Sequence, residues 1–363
     1  MIIEQISDLH FGILDNDEEL YKEIHDGFIN HCNKVHPDLI VVCGDCYDKR
    51  VLVNSTANIY LNKVVDEMIS TGATIVIFEG TDSHDRHQIE AFSHYASEKF
   101  FLFNTVAKLN VLGLKLLILP EEYVKDVHYY DNYFNDKYDF IFGHGLNKHV
   151  SFGADNEYGE YCRKPFVFDY SMFKDICKYY VGFGHIHTHN VYKNIIYGGS
   201  YGRFNFGEEE PKGWIEYNLD KSKGKCSWKF LENKEAQTFR SELSSKLPND
   251  IDNLLKQLRN YSEMNDYFRI IIDSDITDDK YNTIVGFVKT HKNCVIKRNM
   301  KSIEENKNLE IANNIKEKQE ILINKMKDYK GLSLIEITQK IAKDEYHEDF
   351  SEEYINKILN TKL

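Results

Sequence analysis

The sequence predicts an α/β protein in which parallel strands alternate with helices. Over residues 1–145, apolar runs rich in Ile and Val alternate with segments of helical periodicity, as βαβ units do. Polar motifs directly follow several of these runs, so their side chains would emerge at the carboxyl ends of buried strands. The 363-residue chain exceeds the usual size of one domain, which favours one large domain with smaller appendages.

The large domain is predicted to contain many short strands and two amphipathic helices. Residues 100–120 are typical of antiparallel hairpins, with Gly113 at a turn. Residues 148–164 lack periodicity and predict a long loop beside the site. The predicted helices are 18–35 and 57–70, and the predicted strands are 2–6, 39–42, 74–78, 100–103, 106–111, 114–119, 140–142, 179–183, 191–197, 213–219 and 226–231.

The composition changes after residue 232, where a polar connector extends to residue 249. A small α/β unit follows, with helix, strand, helix and strand at 251–261, 267–273, 278–289 and 293–298. From residue 303 every segment predicts helix or turn. We therefore predict three regions, which are a large domain at 1–232, a small α/β domain at 233–300 and a helical segment at 301–363.

The overall charge limits the partners that the chain can hold by itself. Lys and Arg number 45 against 58 Asp and Glu, giving a formal charge of -13, the wrong sign for binding nucleic acid by bulk electrostatics. If DNA is the substrate, metals, local basic patches or a partner must supply the attraction. The sequence has neither a basic leader nor an apolar run of about 18 residues, which predicts a cytoplasmic protein without a membrane partner.

Six short motifs occur in an order that predicts one metal centre. Hydrolysis of a phosphodiester at neutral pH can use two divalent ions about 3.5–4 Å apart, which activate water and stabilise the attacking and leaving oxygens. A mixed shell of imidazoles and carboxylates favours Mn²⁺, our first choice, with Fe²⁺ or Zn²⁺ as alternatives. The motifs are Asp8-Leu9-His10, Gly44-Asp45-Cys46-Tyr47-Asp48, residues 80–85, Gly143-His144-Gly145, Gly184-His185-Ile186-His187 and Gly199-Ser200.

The residue types suggest how two ions would be shared. Asp45 suits a bridging role because it follows a glycine at the end of an apolar strand and has one oxygen for each ion. Asp8 and His10 would hold one ion, and His144 with either His185 or His187 would hold the other.

The ordered motifs resemble the pattern of the calcineurin-like metallophosphoesterases, DxH, GDxxD, GNH[DE], GH and GHxH, over residues 1–200. The resemblance implies a four-layer β-sandwich flanked by helices. It also implies that His84 contacts the scissile phosphate and helps the leaving oxygen depart. Asp48 would either orient a histidine or cap the following helix. The implied ligands are Asp8, His10, Asp45 and His187 for the first ion, and Asp45, His144 and His185 for the second.

The third motif departs from the family pattern, in which an asparagine amide binds the second ion. Residues 80–85 read Gly-Thr-Asp-Ser-His-Asp, two residues longer than the pattern. Aligned on His84, the asparagine position is Ser83, whereas aligned on Gly80 it is Thr81. Asp82 could instead donate a carboxylate, so the replacement for the amide stays open.

Residues 199–213 resemble the GS…R…FGE…KG stretch of SbcD-type DNA double-strand-break repair nucleases. This resemblance implies a DNA exonuclease and endonuclease subunit acting on double-stranded ends, with single-stranded DNA as a further substrate. The domain at 233–300 would cap the site and bind DNA. The helices at 301–363 would bind an SMC-like ATPase, with two copies of the chain in a heterotetramer. A phage-encoded member would work in the host cytoplasm.

Two residues of that stretch are candidates for substrate binding, Ser200 and Arg203. For Arg203 the alternative is a salt bridge to the acidic run at 208–210. Two other functions remain open. One is a phosphoesterase for small molecules or proteins, although such an enzyme needs neither a capping domain nor a helical tail. The other is an architectural subunit with a degenerate second metal site, although all the other ligands persist.

Overall fold

The computed structural model describes residues 1–13, 16–124, 128–150 and 166–298, and also 333, 335–340, 351 and 355. These residues form an α/β fold, which confirms the predicted class. They divide into two compact units. One comprises Met1–Glu242, Leu255–Arg269 and Phe287–Val295, and the other comprises Leu243–Leu254, Ile270–Gly286 and the described residues from Ile296 onward. The three domain boundaries drawn from the sequence stay predictions.

The elements follow the chain in short segments. The strands are β1 (Ile2–Ile6), β2 (Leu39–Cys43), β3 (Thr74–Phe78), β4 (Phe100–Phe103), β5 (Ala107–Val111), β6 (Leu114–Leu119), β7 (Phe140–His144), β8 (Leu146–Asn147), β9 (Val167–Phe168), β10 (Val181–Gly184), β11 (Asn190–Tyr192), β12 (Ile195–Tyr197), β13 (Gly213–Asp220), β14 (Lys225–Glu232), β15 (Phe239–Leu243), β16 (Tyr267–Ile272) and β17 (Cys294–Arg298). The α-helices are α1 (Asp17–Ile24), α2 (Asn30–Val35), α3 (Thr56–Ser70), α4 (Asp82–Asp85), α5 (Asp131–Phe134), α6 (Tyr170–Phe173), α7 (Ile251–Met264) and α8 (Asp278–Thr290). A π-helical turn, His25–Ile29, joins α1 to α2, and Ile89–Tyr95 and Ser244–Lys246 are 3₁₀ helices.

Two mixed sheets of six strands carry the first unit. In the first sheet, strands β1 to β4 lie side by side and parallel, and β13 and β14 extend it antiparallel beyond β1. In the second sheet, β6, β7, β10 and β12 are parallel, and β5 and β11 pair antiparallel at its two edges. Each sheet therefore has a block of four parallel strands whose carboxyl ends lie along one edge.

The two sheets pack face to face, and helices cover their outer faces. Val41 and Phe78 of the first sheet share a buried cluster with Ile118 and Phe142 of the second. Ile40 and Val42 point the other way and pack among the apolar side chains of α1 and α3. On the far side of the second sheet, Phe173 of α6 and Tyr130 pack against Ile141, Val181 and Phe183. Strand β2 is buried on both faces, which explains its unbroken apolar run.

Most predicted elements are confirmed, and three details were wrong. Residues 191–197 form the hairpin β11–β12 rather than one strand, because Lys193 takes a positive φ of 57° and the chain reverses. Strand β4 joins β3 in the first sheet rather than a hairpin with β5. The polar connector at 232–249 contains β15, which forms a three-stranded sheet with β16 and β17.

Two predictions fall mainly outside the described residues. Only residues 148–150 of the predicted long loop are described, and the helical segment at 301–363 is described only at 333, 335–340, 351 and 355. Among the described residues, none of the helices combines the length and the apolar composition that crossing a membrane requires.

Candidate metal centre

The predicted ligands meet where the parallel strands of both sheets end. Asp8 and His10 follow β1, Asp45 follows β2, and residues 80–85 follow β3. On the second sheet, His144 ends β7, and His185 and His187 follow β10. Because both sheets present the carboxyl ends of their parallel strands here, motifs far apart in the sequence converge on one cluster.

The backbone at four of these residues takes a left-handed conformation that residues other than glycine rarely adopt. The φ angles are 53° at Asp8, 50° at His10, 51° at Asp45 and 91° at His185. Each such residue costs free energy, about 1–3 kcal/mol, and is kept only where the surroundings impose it. Clustering of four of them at adjacent strand ends is typical of a functional site.

One group of ligand atoms is formed by Asp8, His10 and His187, which lie within 4.8 Å of one another. The Nε2 atoms of His10 and His187 are 3.0 Å apart. Asp8 is fully buried and accepts hydrogen bonds from the backbone N–H of His185 at 3.0 and 3.2 Å. Two imidazole nitrogens and one carboxylate thus face a common point.

A second group is formed by Asp45, His144 and His185. The Nε2 atom of His144 lies 3.2 Å from Oδ2 of Asp45. The Nδ1 atom of His144 faces the carbonyl of Cys43 at 2.7 Å. Since a carbonyl only accepts, Nδ1 carries a proton there, and Nε2 is the nitrogen directed at the group.

Asp45 connects the two groups through one oxygen. Its Oδ2, 3.2 Å from His144, is also 3.9 Å from Nε2 of His10. Its Oδ1 accepts a hydrogen bond of 2.6 Å from the backbone N–H of Thr81, which fixes the orientation of the carboxylate. Asp45 therefore occupies the position that a bridging ligand requires.

The buried carboxylates make the centre electrically unusual. Burial alone opposes ionisation of Asp45, but the neighbouring His144 imidazole holds the pKa of this carboxyl well below its ordinary value. At His10, burial and then the adjacent His187 lower the pKa well below the ordinary value, so His10 is neutral at pH 7. At His144 burial disfavours the charged form, but the Asp45 carboxylate outweighs burial and raises the pKa to about 10, so a divalent cation that bound there would displace a proton.

His84 and Asp48 lie beside the first group. The His84 ring packs edge-on against His10, with ring centres 5.0 Å apart, and Nδ1 of His84 donates to the backbone carbonyl of Asp48. The Asp48 carboxylate is 3.7 Å from Nδ1 of His10. Ser55, rather than Asp48, caps α3 by accepting a hydrogen bond from Asn58. Nδ1 of His10 makes no hydrogen bond within the described residues, so the orienting role of Asp48 stays a prediction.

Of the three residues that the sequence leaves open in the third motif, the structure brings Thr81 to the ligands rather than Ser83 or Asp82. Ser83 is exposed, and Asp82 is half-exposed with its carboxylate 3.4 Å from Arg86. Thr81 is buried instead, and its hydroxyl lies 3.2 Å from Oδ2 of Asp45. The structure thus brings Thr81 into the second group, with Ser83 and Asp82 at the mouth of the cavity.

Asp85, the last residue of the motif, holds two loops together. Its carboxylate accepts from the backbone N–H groups of Cys46 at 3.2 Å, Tyr47 at 3.0 Å and Gly80 at 3.0 Å. Burial, followed by the nearby charge of Asp45, raises its pKa to about 7. Its role is therefore to position the loops that follow β2 and β3.

Two carboxylates of the centre were missed by the motif search. Glu121 follows β6, and its Oε2 lies 3.2 Å from Nδ1 of His185. Its position after an apolar strand is a signal that the neighbouring Glu122 shares. Glu208 lies 3.3 Å from Nδ1 of His187, and the buried Lys212 lies 3.3 Å from Glu208 and donates to the carbonyl of His187 at 2.9 Å. Both Glu208 and Lys212 belong to the stretch at 199–213.

The two predicted substrate-binding residues make internal contacts. Ser200 is fully buried, and its hydroxyl donates to the carbonyl of Gly202 at 2.8 Å. Arg203 is half-buried and donates to the carbonyls of Ala236, Gln237 and Glu210 at 3.1–3.4 Å. The alternative salt bridge to residues 208–210 is not the observed arrangement, since Lys212 pairs with Glu208 and Glu210.

A cavity of about 800 Å³ opens over both groups. Four of the proposed ligands line its wall together with His84, so these side chains face one space; the four are His10, Asp45, His185 and His187. Around its mouth, carboxylates outnumber cationic side chains, with Glu79, Asp82 and Glu122 against Arg86. A polyanion would therefore be repelled unless cations occupy the centre.

Comparisons with known proteins give little further information. No protein-family model and no curated protein matches the chain. The crystal structure of AQ665 from Aquifex aeolicus, a protein of unknown function, is similar at 19% sequence identity and a TM-score of 0.22. That match covers 42% of this chain and 81% of AQ665. At this TM-score it carries no conclusion about fold or function.

Proposed function

We propose that the chain is a two-metal phosphodiesterase of the calcineurin-like type that cuts DNA. The observation that carries the proposal is the position of Asp45 between two groups of ligand atoms, Oδ2 being 3.2 Å from His144 and 3.9 Å from His10. The donor atoms fit divalent cations, since imidazole nitrogens converge with buried carboxylate oxygens in both groups. Mn²⁺ is our first choice, with Fe²⁺ or Zn²⁺ as alternatives. The four-layer sandwich of that family is compatible with two facing sheets covered by helices.

Bound divalent ions would supply a nucleophile at neutral pH and stabilise charge on the phosphoryl oxygens. Asp8, His10, Asp45 and His187 would hold one ion, and Asp45, His144 and His185 the other. A side chain of the protein would supply the proton that the leaving oxygen needs. With Nδ1 of His84 donating to the Asp48 carbonyl, Nε2 is the ring nitrogen left to give a proton to the departing oxygen. The packing of His84 on His10 keeps this ring beside the first group.

The choice of DNA as substrate rests on residues 199–213 and on their contacts with the centre. Glu208 and Lys212, both within the stretch that resembles SbcD-type nucleases, contact His187. The stretch therefore lies against the proposed metal centre, and its resemblance to SbcD-type nucleases supports the choice of DNA. The same resemblance carries four further predictions with this proposal. They are capping by residues 233–300, dimerisation, a cytoplasmic location, and the binding of an SMC-like ATPase through residues 301–363.

Linear duplex DNA and bis(p-nitrophenyl) phosphate, each assayed with Mn²⁺, would test the proposal. We expect Mn²⁺-dependent shortening of the DNA by the wild type, and loss of both activities in Asp45→Asn. Turnover of the small ester without DNA cleavage, even with the ATPase present, would instead support a small-molecule phosphoesterase. Failure to hydrolyse either substrate would favour an architectural subunit.

A further inference from the structure

We infer that Thr81 and Glu121 complete the second metal site in place of the family's asparagine, the hydroxyl and the carboxylate acting as ligands together. This inference rests on the proposed function, because it concerns an ion at the same centre. It answers a question that the sequence leaves open, namely which oxygen replaces the missing amide.

The Thr81 hydroxyl lies among the ligand atoms of the second group. Its Oγ1 is 3.2 Å from Oδ2 of Asp45, 3.4 Å from Nε2 of His144 and 3.4 Å from Nδ1 of His185. The backbone is held in place by the hydrogen bond of 2.6 Å from its N–H to Oδ1 of Asp45. A neutral oxygen thus faces the same point as two imidazoles and a carboxylate.

Glu121 approaches the same point from the other sheet. Its Oε2 is 3.2 Å from Nδ1 of His185, 3.9 Å from Nε2 of His144 and 3.5 Å from Oγ1 of Thr81. Its other oxygen accepts from the Tyr123 hydroxyl at 2.9 Å, which holds Oε2 toward the histidines. Only 2% of the side chain is exposed, so water stabilises its charge little.

The chemistry of Thr81 and Glu121 explains how the two together replace one asparagine. A hydroxyl is a weaker donor to a divalent cation than an amide oxygen, so Thr81 alone would leave the ion poorly held. Glu121 adds a negative charge that an asparagine does not, and it does so beside the buried Asp45. The Asp45 charge opposes ionisation of Glu121, and a cation held by both carboxylates would offset that repulsion.

The other candidates of the third motif make different contacts. Asp82 is directed toward Arg86 at 3.4 Å, with 49% of its side chain exposed. Ser83 is exposed as well. Neither belongs to a group of converging ligand atoms, whereas Thr81 has four ligand residues within 3.5 Å of its hydroxyl.

Metal binding, measured apart from catalysis, tests the inference. Mn²⁺ titration of the full-length apo chain by calorimetry, with bound Mn²⁺ counted after dialysis, should give two sites for the wild type. Glu121→Gln and Thr81→Val should each weaken the second site on the order of tenfold or more while retaining the first. In electron paramagnetic resonance, the signal of a coupled Mn²⁺ pair should give way to that of a single Mn²⁺.

Glu122→Gln is the matched control, because it removes the same charge from the adjacent residue. The Glu122 carboxylate accepts from the backbone N–H of Val106 at 2.6 Å and from the Tyr129 hydroxyl at 2.7 Å rather than facing the histidines. The Glu122→Gln variant should therefore bind two Mn²⁺ ions. A further variant, Glu121→Gln combined with Thr81→Asn, restores the family's amide and should recover the second site. Recovery in this variant would also exclude misfolding as the cause of the loss.

The outcomes separate this inference from the proposed function. If Glu121→Gln and Thr81→Val bind two Mn²⁺ with wild-type affinities, or if Glu122→Gln or Asp82→Asn causes the loss instead, the ligand assignment is overturned while a two-metal enzyme remains. A wild type that binds no Mn²⁺, Fe²⁺ or Zn²⁺ overturns the proposed function itself. Should Glu121→Gln fail to fold, Thr81→Val alone decides the assignment.

Discussion

Glu208 faces His187 across 21 residues of sequence, with its Oε1 atom 3.3 Å from the Nδ1 atom of the ring. Because the opposite nitrogen, Nε2, points at His10, the carboxylate holds the ring in the orientation that a ligand needs. Lys212 and the N–H of Phe204 contact Glu208 in turn. The acidic run at 208–210 therefore supports the metal centre rather than only the surface.

Replacing Glu208 by Gln should weaken the first metal site. Loss of a carboxylate behind a histidine ligand typically lowers metal affinity about 10- to 100-fold. Glu209→Gln, a substitution at the exposed neighbour, should bind Mn²⁺ as the wild type does. Calorimetric titration with Mn²⁺ measures the metal affinity of both variants. Equal affinities for the two variants would remove Glu208 from the support of His187.

Gly80 leaves no room for a side chain beside Asp45. A Cβ built at this position would lie 2.2 Å from Oδ1 of Asp45 and 2.3 Å from its backbone nitrogen. Gly80→Ala must therefore displace the proposed bridging carboxylate, and we expect it to abolish cleavage and reduce Mn²⁺ binding. Gly286→Ala is the control, since its Cβ meets nothing within 4 Å in the exposed middle of α8. It should stabilise the fold by about 0.5–1 kcal/mol. Normal Mn²⁺ binding by Gly80→Ala would contradict the bridging role.

The sequence predicted most of the centre because ligand types follow apolar strands directly. Asp8, Asp45 and His144 are adjacent in sequence to runs that only a buried strand explains, so their convergence needed no knowledge of long-range contacts. Glu121 could not be distinguished in this way. Glu121 and Glu122 are identical neighbours, and only the path of the chain after β6 turns one toward His185 and the other toward Val106.

The missed fold details have similar causes. The apolar pattern of residues 191–197 predicts one strand. A glycine at a turn would indicate a positive φ, but the residue that takes it here is Lys193. Strand β15 was hidden by its polar composition, since among its residues only Phe239 is buried. Local patterns thus located the elements with an apolar face, whereas the edge strand and the tight turn depended on tertiary contacts.

His84→Ala should slow DNA cleavage by about 10² to 10⁴-fold with little change in bound Mn²⁺, because the ring would supply a proton rather than hold an ion. The loss should be much smaller with bis(p-nitrophenyl) phosphate, whose leaving group departs without protonation. His87→Ala, at an exposed histidine 2.9 Å from Glu90, should keep wild-type rates on both substrates. An equal loss on the two esters would contradict proton donation by His84.

Glu23 should make stability depend on pH. Its carboxylate accepts from Asn233 at 2.7 Å and from the N–H of Gln237 at 3.3 Å, and burial raises its pKa to about 8 from an ordinary value of 4.5. The unfolded chain therefore loses this proton at lower pH than the folded chain. The group's contribution to stability is complete below about pH 4.5 and is lost as the pH rises to about 8, on the order of a few kcal/mol in total.

Glu23→Gln should remove that dependence, because an amide does not titrate. We expect the thermal unfolding midpoint of the wild type to fall more steeply between pH 5 and pH 8 than that of the variant, so that the variant gains relative stability as the pH rises. Glu235→Gln, at an exposed carboxylate nearby, should follow the wild-type slope. Parallel profiles for the wild type and Glu23→Gln would mean that Glu23 is already ionised in the folded protein, with Arg203 compensating its charge.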